Sequence, residues 1–514
     1  MSPSLSTNSS LPPALSSLPF ADVLQADHAT LEVASWDFGH IVREYPLAVL
    51  RPTSIQDIVI LVKFIHDNDD PVLASLTVAV RGNGHSVRGQ AMARDGIVVD
   101  MSSLRISKNN QGGGWATIIP QQGTLRCYAD VGGEQLWIDV LKETLKHGLA
   151  PVSWTDYLYL TVGGTISNGG ISGTAFRFGP QISNVHEMDV ITGTGELLTC
   201  SRHENSDLFD AVLGGRGQFG IITRARIVLD QAPKRVKWVR LLYDDFSAFT
   251  RDQEHLISIN GRFDERALEH LEGFIFMHHG SPDEWRSSYF PSTENARIAT
   301  LITINGMVYC LEVAKFYDDD TELSVGKVME NLLQGLSYLP GFRYEKDVSY
   351  VDFLNRVRDG EMKLRSQGLW DVPHPWLNLF VPRSRIADLK THVLDNIIMK
   401  NKITTGTVLC YPMNKIKWDA KTSAVVPDED VFYTVEFLQS SGFDDWQKFD
   451  AQYEEILRWC KEAKLGVKQH LHRCNTVDEW KDHFGSKWSN FERVKAKFDP
   501  RMILSPGQRI FNNN

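Results

Sequence analysis

The sequence predicts an α+β protein with two domains. A strand–helix–strand pattern precedes a glycine loop near residue 82, a glycine-dense stretch runs from Thr161 to Arg226, and longer helical patterns begin after Pro233. The 514 residues could form two large domains or, at ~150 residues per domain, about three units. The composition, with 42% hydrophobic and 23% charged residues, is typical of a globular protein. It excludes a disordered or a fibrous protein.

The first domain is predicted to alternate strands and helices after a flexible N-terminal leader at residues 1–35. Ser54 and Asp57 can form a capping box, and apolar residues follow at helical spacing, which predicts a helix over 55–67. A strand, helix, strand order that leads into Gly82-Asn83-Gly84-His85-Ser86 is typical of a nucleotide-binding α/β or α+β domain. The predicted strands of this part cover residues 47–50, 76–80 and 96–100.

Between the glycine-rich motifs the pattern predicts three more strands and a short helix. The helix has Ser206 as its cap and reaches Leu213. We place a domain boundary near residue 232, where the glycine content drops, and a last aromatic and basic segment runs from Trp480 to Phe511. The strands are predicted at residues 185–192, 196–200 and 221–229, the first two paired around a Gly193-Thr194-Gly195 turn.

Charge and cysteine usage exclude several classes of protein. The 54 Lys and Arg residues against 64 acids give a net charge of −10, so there is no basic excess for binding nucleic acid or an anionic membrane. No stretch approaches the ~18 apolar residues of a membrane span, and no signal-peptide pattern is visible, so we expect a cytosolic protein. The six cysteines lack CxxC or zinc-ligand spacing, which favours free thiols and predicts no metal site.

The glycine loop at residues 82–86 could hold a phosphate group. Its glycines permit positive φ, and consecutive backbone N–H groups in such a turn can bind a pyrophosphate. An ordinary tight turn has the same glycine spacing, and the next glycine, Gly89, does not complete a GxGxxG motif. The spacing alone therefore leaves open whether this loop binds a cofactor.

The segment from Gly215 to Gly220 matches the dinucleotide fingerprint GxGxxG but lacks its context. That fingerprint requires a strand before it and a helix after it. Here a helix precedes the segment and the alternating strand 221–229 follows, so we reject an NAD site of the Rossmann type. The glycines instead indicate a tight turn beside a ligand or a neighbouring strand.

Asp156 and Trp376 are candidates for chemistry and for ligand binding. Asp156 lies between large apolar residues, and a carboxylate in a low-dielectric pocket can serve as a general base. An aspartate that caps a turn would also explain the position of Asp156 in the sequence. Trp376 could stack on a planar ligand or pack in the hydrophobic core. No GxSxG or HExxH motif is present, so hydrolase signatures are missing. The residues alone indicate a soluble two-domain enzyme with a nucleotide cofactor.

From Trp36 to Phe511 the sequence resembles the cytokinin oxidase/dehydrogenase family, plant flavoproteins of the vanillyl-alcohol-oxidase type. The segments that carry the resemblance are RGNGHSVRGQA (81–91), SWTDYLYLTVGGTISNGGISGTAFRFGPQISNV (153–185), LGGRGQFGIITRARI (213–227), HPWLNLF (374–380) and LSPGQRIF (504–511). The resemblance implies a two-domain PCMH-type FAD-binding fold. Its parts would be an FAD-binding domain at 36–231, a separate α+β cytokinin-binding domain at 232–470, and a C-terminal segment, 471–514, that returns to the FAD domain.

The resemblance also implies that the 8α-methyl group of FAD is bonded covalently to His85. Some relatives attach FAD a second time through a cysteine in the glycine-rich block. Because no cysteine lies between Cys127 and Cys200 here, a single link is expected. The other implied cofactor-binding residues are Gly82, Asn83, Gly84, Ser86, Gln90, Asp156, Thr161, Ser167, Ile171, Ile222, His470, Ser505 and Gln508.

In proteins that look like this one, Asp156 is the catalytic base. It would accept the exocyclic N–H proton of an isoprenoid cytokinin such as isopentenyladenine while hydride leaves the adjacent carbon for the flavin. The imine then hydrolyses to adenine and an unsaturated aldehyde. Glu272 would be a second catalytic carboxylate that contacts the adenine, and a quinone-type acceptor or oxygen would reoxidise the flavin of a monomeric enzyme. The implied substrate-binding residues are Trp376, Asn378, Tyr411 and Val357.

Two alternatives and three departures accompany this resemblance. One departure is the missing signal peptide, which resembles the cytosolic branch of the family and not its secreted members. A related covalent flavin oxidase acting on a sugar or alkaloid would usually need a second cysteine linkage and a tyrosine or glutamate base, and a silent purine binder would not need Asp156. A family segment similar to Tyr-Leu-Pro-His-Tyr reads His470-Leu471-His472-Arg473-Cys474 here. A second pocket glutamate of some relatives aligns with Gly360, which has Glu361 beside it.

Overall fold

The computed structural model describes residues 11–110, 116–120, 127–277, 289–401, 406–471, 474 and 476–511. Within these residues the strands form three sheets with helices packed beside them, which confirms the predicted α+β class. No helix in the described ranges has both the length and the apolar character needed to traverse a lipid bilayer.

The first sheet has four strands, all from the beginning of the chain. They are β1 (Leu24–Gln25), β2 (Ala48–Leu50), β3 (Val78–Arg81) and β4 (Ile97–Asp100). Strands β2 and β3 both pair with β4 in parallel, and β1 joins the free edge of β2 in antiparallel orientation. The helices of this part are α1 (His28–Ala34), α2 (Ile55–Asp67), α3 (Pro71–Ala74) and α4 (Ser102–Asn110).

Helix α2 has the bounds that the sequence predicts. The Ser54 hydroxyl accepts a hydrogen bond from the Asp57 N–H at 3.3 Å, and the Asp57 carboxylate accepts one from the Ser54 N–H at 3.0 Å. This reciprocal capping satisfies two backbone donors that the first turn of a helix leaves unpaired. The apolar face of the helix is buried in the cluster that also contains the first sheet.

The prediction of a flexible leader is wrong for residues 11–35, and ordered structure begins earlier than Trp36. Leu15 and Phe20 are buried, and they belong to the same apolar cluster as α2. Burial of these side chains compensates for the entropy lost when this segment is ordered. The glycosylation sequon at residues 8–10 lies outside the described residues.

The second sheet has six strands, and the long strand β10 is its centre. Its strands are β5 (Thr117–Pro120), β6 (Cys127–Gly132), β7 (Leu149–Pro151), β8 (Val185–Ile191), β9 (Leu197–Ser201) and β10 (Ile221–Gln231). Strand β10 pairs with β6, β7 and β8, and β8 pairs with β9, which confirms the predicted hairpin at Gly193-Thr194-Gly195. The helices of this part are α5 (Trp137–Leu145), α6 (Val162–Asn168), α7 (Ala175–Phe178) and α8 (Ser206–Val212).

Helix α8 differs by one residue at each end from the prediction. Asn205, not Ser206, occupies the N-cap position, and the helix ends at Val212. Strand β10 follows α8, so the GxGxxG segment between them has a helix before it and a strand after it. This arrangement confirms the rejection of a Rossmann site.

The third sheet has eight antiparallel strands from the rest of the chain. In chain order they are β11 (Arg235–Tyr243), β12 (His270–Met277), β13 (Met307–Tyr317), β14 (Arg343–Ser349), β15 (Trp376–Pro382), β16 (Thr407–Asn414), β17 (Val431–Leu438) and β18 (Lys468–His470). In space their order is β14-β11-β13-β12-β16-β17-β15-β18. Strands β12 and β13 are central and almost wholly buried, so the charged residues on them lie in the interior.

Helices flank the third sheet and close the C-terminal part of the chain. They are α9 (Phe246–Ser258), α10 (Asn295–Asn305), α11 (Glu322–Leu333), α12 (Tyr350–Leu354), α13 (Arg356–Ser366), α14 (Ile386–Leu389), α15 (Met399–Asn401), α16 (Trp446–Glu462), α17 (Val477–Phe484) and α18 (Trp488–Phe498), with a π-helix at Lys390–Ile398. The largest apolar cluster contains residues of both the second and the third sheet.

A buried ion pair holds the C-terminal segment against the first two sheets. The Lys495 ammonium lies 2.7 Å from the Asp499 carboxylate, and the two side chains are 2% and 0% exposed. Asp499 also accepts hydrogen bonds from the N–H groups of Ile503 and Leu504, both at 2.9 Å, while Lys495 donates to the Gln218 carbonyl at 2.9 Å. These contacts fix the loop that follows α18, which bridges to β3 through Leu504.

We expect Asp499→Ala to destabilise the protein by about 3–5 kcal/mol, because it leaves a buried ammonium without its counter-charge. The measurement is the melting temperature of the variant. Asp207→Ala is the matched control, since Asp207 forms an ion pair with Lys497 of the same helix at a more exposed position. That control should cost less than about 1 kcal/mol. Equal losses in the two variants would contradict the anchoring role of Asp499.

Candidate functional site

A deep cavity lies where residues of all three sheets meet. Val80 of β3, Ile222 of β10 and Asn378 of β15 all line it. The cavity has a volume of about 320 Å³. This volume falls within the range of about 300–1000 Å³ that is usual for small-molecule pockets. The cavity is therefore large enough to bind an organic ligand.

Most residues that the sequence analysis named as candidates line this cavity. Three do not: Glu272 and Tyr411 are buried within strands β12 and β16, and Val357 is half-buried on α13. The candidates that the structure brings together on the wall are Gly82, Asn83, Gly84, His85, Ser86, Gln90, Asp156, Thr161, Ser167, Ile171, Ile222, Trp376, Asn378, His470, Ser505 and Gln508.

The loop with His85 follows β3 and packs directly against the start of α6. A Cβ atom added to Gly82 would lie 2.4 Å from the Thr161 hydroxyl oxygen, so only glycine allows this approach. Gly84 has a φ of +68°, which a side chain would also disfavour. The Asn83 amide donates to the Tyr159 carbonyl at 2.8 Å. The glycines are therefore needed for both the close contact and the turn.

Residues 36–39, which we call the strap, hold this loop in place from the other side. The Phe38 N–H donates to the Gly84 carbonyl at 2.9 Å, and the Gly39 N–H donates to the Ser86 carbonyl at 3.1 Å. A Cβ atom on Gly39 would lie 1.9 Å from the Val87 carbonyl oxygen, so glycine is required at this position as well. The strap thus fixes the backbone on both sides of His85.

The Asp37 carboxylate ties the strap to the far end of the loop. It accepts a hydrogen bond from the Ser86 hydroxyl at 2.9 Å and another from the Gly89 N–H at 2.6 Å. Burial raises the pKa of Asp37 to about 6, although these two hydrogen bonds and the nearby Arg81 act in the opposite direction. A buried carboxylate near the His85 loop therefore changes its charge close to neutral pH.

The His85 imidazole lies within a column of aromatic rings. Phe38 stacks on it at a centroid distance of 4.1 Å and stacks on His374 at 4.0 Å with its other face, and Tyr157 stacks on His85 at 4.8 Å. Burial lowers the pKa of His85 to about 3, so the ring is neutral at physiological pH. A neutral imidazole retains a nitrogen lone pair, which is what nucleophilic chemistry requires.

The Asp156 carboxylate is held by an arginine from the neighbouring helix α13. An Arg356 guanidinium nitrogen lies 3.3 Å from the Asp156 carboxylate and 3.3 Å from that of Glu272. The Asp156 side chain is 13% exposed, whereas Glu272 is fully buried. Glu272 therefore reaches Asp156 through Arg356 and does not itself line the cavity.

Glu272, Glu312 and His270 could offer donor atoms to a metal ion, since these atoms lie within 4.8 Å of one another. Two arginines already satisfy the charge of these carboxylates. Arg240 contacts Glu312 at 2.6 Å, and Arg356 contacts both glutamates. The buried acids are thus neutralised by guanidinium groups, and we assign no metal to the cluster.

His470 lies on the cavity wall where the family resemblance implies a tyrosine. Its Nε2 atom lies 2.8 Å from the Asn168 carbonyl oxygen, and its ring stacks on Phe380 at 5.1 Å. Burial lowers the pKa of His470 to about 4, so this ring is also neutral at physiological pH. Residues 472–473, the next positions of this departure, lie outside the described residues.

The C-terminal segment closes one side of the cavity. The Ser505 hydroxyl donates to the Gly217 carbonyl at 2.9 Å, and the Gln218 amide donates to the Ser505 carbonyl at 3.0 Å. The segment from Gly215 to Gly220 thus turns beside the cavity, as its glycines predict. The side-chain oxygens of Gln508 and Asn378 are buried on the wall without a partner among the described residues.

Sequence analysis did not find the strap, Tyr157 or Arg356. The strap is more than 40 residues from the loop that it holds, and Arg356 is 200 residues from Asp156. Neither belongs to a motif with recognisable spacing. The one local signal is that the strap begins at Trp36, directly after the predicted leader.

Comparisons with known proteins identify the family. Residues 233–511 match the family model described as "Cytokinin dehydrogenase 1, FAD and cytokinin binding". The chain belongs to the cytokinin dehydrogenase family. Residues 46–201 also match the FAD binding domain model. The chain is 53% identical to cytokinin dehydrogenase 3 of Arabidopsis thaliana, over 99% of this chain and 95% of the relative. It is 47% identical to cytokinin dehydrogenase 7 of Oryza sativa subsp. japonica, over 98% and 94%.

Solved structures share the fold at low sequence identity. The BBE-like 1 protein of Physcomitrella patens superposes with a TM-score of 0.68 at 16% identity, covering 96% of this chain and 98% of that protein. The 6-hydroxy-D-nicotine oxidase of Arthrobacter nicotinovorans gives a TM-score of 0.62 at 18% identity, covering 95% and 96%. These comparisons confirm both the predicted family and the predicted PCMH-type flavoprotein fold.

We expect Asp37→Asn to change how the stability of the protein depends on pH. The pKa of Asp37 rises from 3.8 to about 6 on folding. The folded protein therefore keeps a proton that the unfolded chain has lost in this range. As pH rises from 5 to 8, the wild type should lose on the order of 1 kcal/mol of stability relative to the variant.

Melting temperatures of both proteins across this pH range test that expectation. Asp27→Asn is the control, because the Asp27 carboxylate caps α1 and hydrogen bonding lowers its pKa. Asp27 remains ionised in both states above pH 5, so its variant should show a constant difference from the wild type. A constant difference for Asp37→Asn as well would contradict the raised pKa.

Proposed function

We propose that this protein is an FAD-dependent cytokinin dehydrogenase. It would oxidise the N6 side chain of isoprenoid cytokinins such as isopentenyladenine, and the resulting imine would hydrolyse to adenine and an unsaturated aldehyde. One observation carries the proposal: a single cavity joins the His85 loop to Asp156, in a chain that matches the FAD- and cytokinin-binding family model.

The cavity wall fits FAD. Gly82 and Gly84 line the cavity in the loop that carries His85, and the buried side-chain oxygen of Gln508 has no partner among the described residues. FAD bound there would supply the hydride acceptor for the substrate. We propose a covalent link from His85 to the 8α-methyl group, supported by a ring that is neutral, stacks on neighbouring aromatic rings and lines the cavity.

Asp156 would act as the general base. A cytokinin carries its allylic side chain on an exocyclic nitrogen, and removal of the N–H proton favours hydride loss from the adjacent carbon. Arg356 holds the Asp156 carboxylate at 3.3 Å, and the largely buried position keeps water from competing for the proton. Holding this carboxylate and the cofactor on one wall provides the proximity that the reaction needs.

Trp376 and Asn378 of β15 would bind the purine. The Trp376 indole N–H donates to the Gln439 carbonyl at 3.1 Å, which fixes the ring as a surface for a planar base. The Asn378 side-chain oxygen is buried without a partner among the described residues, so it can accept a hydrogen bond from an adenine N–H. The substrate roles implied for Val357 and Tyr411 remain predictions. We do not propose the adenine contact implied for Glu272, because Arg356 lies between this fully buried carboxylate and Asp156.

Three further features belong to the same proposal. The acceptor that removes electrons from the enzyme would be a quinone-type compound or oxygen. The protein would act as a monomer, since the described residues of one chain bring both the His85 loop and Asp156 to the cavity. It would reside in the cytosol, because all six cysteines are free thiols, as expected in a reducing compartment.

We expect Asp156→Asn to lower kcat by about 10²–10⁴, the usual contribution of a positioned general base. The measurement is the aldehyde formed from isopentenyladenine with a quinone-type dye. Asp347→Asn is the matched control, because Asp347 lies on the edge strand β14, where it forms an ion pair with Lys237 of β11. Normal turnover by Asp156→Asn would contradict its role as base. A yellow wild type that forms no aldehyde would instead favour an oxidase of sugars or alkaloids, or a purine binder.

We expect His85→Ala to lose its flavin when the protein is precipitated with acid, since only the covalent link survives unfolding. The measurement is the absorbance of the pellet and of the supernatant. His186→Ala serves as the control, because His186 stacks on Tyr128 outside the cavity. If the pellet of His85→Ala stays yellow, the covalent bond lies at another residue.

A further inference from the structure

A group of buried charges extends from the cavity wall into the third sheet. Asp156 lies at its exposed end and contacts Arg356. Behind it, Arg356 contacts both Glu272 and Glu312, and Glu312 contacts Arg240. The side chains of Glu272 and Glu312 are 0% exposed, that of Arg240 is 3% exposed and that of Arg356 is 6% exposed. Such charges are costly to bury unless each one has a partner of opposite sign.

The charges of the inner four residues balance, and Asp156 adds one negative charge. Arg240 and Arg356 compensate for Glu272 and Glu312. Burial lowers the pKa of the neighbouring His270, which disfavours a positive charge on its imidazole. The group therefore carries a net charge of −1 when Asp156 is ionised. A proton arriving on Asp156 would neutralise the whole group, which suits a residue that must accept a proton.

Arg356 is the residue that connects Asp156 to the rest of this group. Its guanidinium lies 3.3 Å from both Asp156 and Glu272 and 3.6 Å from Glu312. It is fixed further by a hydrogen bond to the Phe353 carbonyl at 3.3 Å and by packing over the Phe353 ring at 4.7 Å. Burial lowers the pKa of Arg356, but the three carboxylates raise it by more, so the guanidinium stays charged.

We propose that Arg356 is a positioning residue for Asp156. Its guanidinium fixes the direction of the carboxylate toward the cavity and stabilises its ionised form, while Glu272 and Glu312 hold the guanidinium in place. This inference rests on the proposed function, because it assigns Asp156 the role of base. Glu272 then acts through Arg356, from behind the wall, without touching the substrate.

The pH dependence of the reaction should report this arrangement. The charged or titratable groups that face Asp156 and Arg356 are Glu272 and His270 on β12, Glu312 on β13 and Arg240 on β11. Removing the cation beside a carboxylate makes ionisation of that carboxylate less favourable. In Arg356→Gln the acid limb of kcat/KM should therefore move to higher pH by roughly 1–3 units. At a fixed pH on the acid side of the profile, kcat/KM of the variant should be lower than that of the wild type by about tenfold for each pH unit of this shift.

Two further variants separate positioning from folding. Arg356→Lys keeps the charge but not the planar fork, so we expect the acid limb to stay near that of the wild type while kcat falls. Glu272→Gln should change the acid limb and leave KM unchanged if Glu272 acts through Arg356. A raised KM with an unmoved limb would instead show that Glu272 contacts the substrate. Arg343→Gln is the matched control, since Arg343 pairs with Glu330 at the surface.

A second measurement does not depend on turnover. Melting temperatures of wild type, Arg356→Gln, Asp156→Asn and the double variant form a thermodynamic cycle. We expect Asp156→Asn to lower the melting temperature when Arg356 is present. In the Arg356→Gln background it should raise the melting temperature, because it then removes a largely buried carboxylate that has lost the Arg356 cation. If Arg356→Gln alone fails to fold, the Arg356→Gln/Glu272→Gln variant, which keeps the charges balanced, serves as that background.

The possible results distinguish this inference from the proposed function. A wild type without cytokinin turnover would refute the function, and the thermodynamic cycle would still test the coupling of Arg356 to Asp156. Equal effects of Asp156→Asn in both backgrounds would overturn the inference. So would an Arg356→Gln enzyme that is folded, yellow and active with an unmoved acid limb.

Discussion

The arrangement of the cavity depends on how the strap holds the loop that carries His85. Two backbone hydrogen bonds and the Asp37 carboxylate join residues 36–39 to this loop, and both Gly39 and Gly82 are needed for the close approach of backbone or side-chain atoms. A loop rich in glycine has high conformational entropy when free. The strap removes that freedom, so His85 can present its ring in one orientation.

The second requirement is electrostatic. The histidines on the wall, His85 and His470, are neutral because burial lowers their pKa. Asp156 and Glu436 both bring a carboxylate to the cavity wall. Asp156 is backed by an arginine that two buried glutamates restrain. Within a low-dielectric site, this pairing of charges is worth more than it would be in water.

The third sheet connects these two features. It supplies Trp376 and Asn378 to the cavity from β15, and it buries Glu272 and Glu312 in its central strands behind Asp156. The C-terminal segment then returns to β3, anchored by the Lys495–Asp499 pair, and adds Ser505 and Gln508 to the wall. The cavity is therefore assembled from segments at both ends of the chain and from its middle.

Local patterns in the sequence determined the elements whose signals are short-range. The capping box at Ser54 and Asp57 defined α2, alternation defined β10, and the flanking helix and strand showed that GxGxxG was not a Rossmann loop. The resemblance to a family nominated the residues of the wall, most of which the structure brings together. These predictions did not depend on contacts between residues that are distant in the sequence.

Only the tertiary structure decided what lies behind and beside those residues. Residues 11–35 are ordered because Leu15 and Phe20 are buried. No periodic pattern in the sequence predicts that burial. The strap and Arg356 act through contacts across more than 40 and 200 residues, so their roles depend on packing. The resemblance implied that Glu272 contacts the adenine, whereas Glu272 lies in a central strand with Arg356 between it and Asp156. Sequence patterns specify local conformation, whereas buried charge pairs form only when the sheets and helices have assembled.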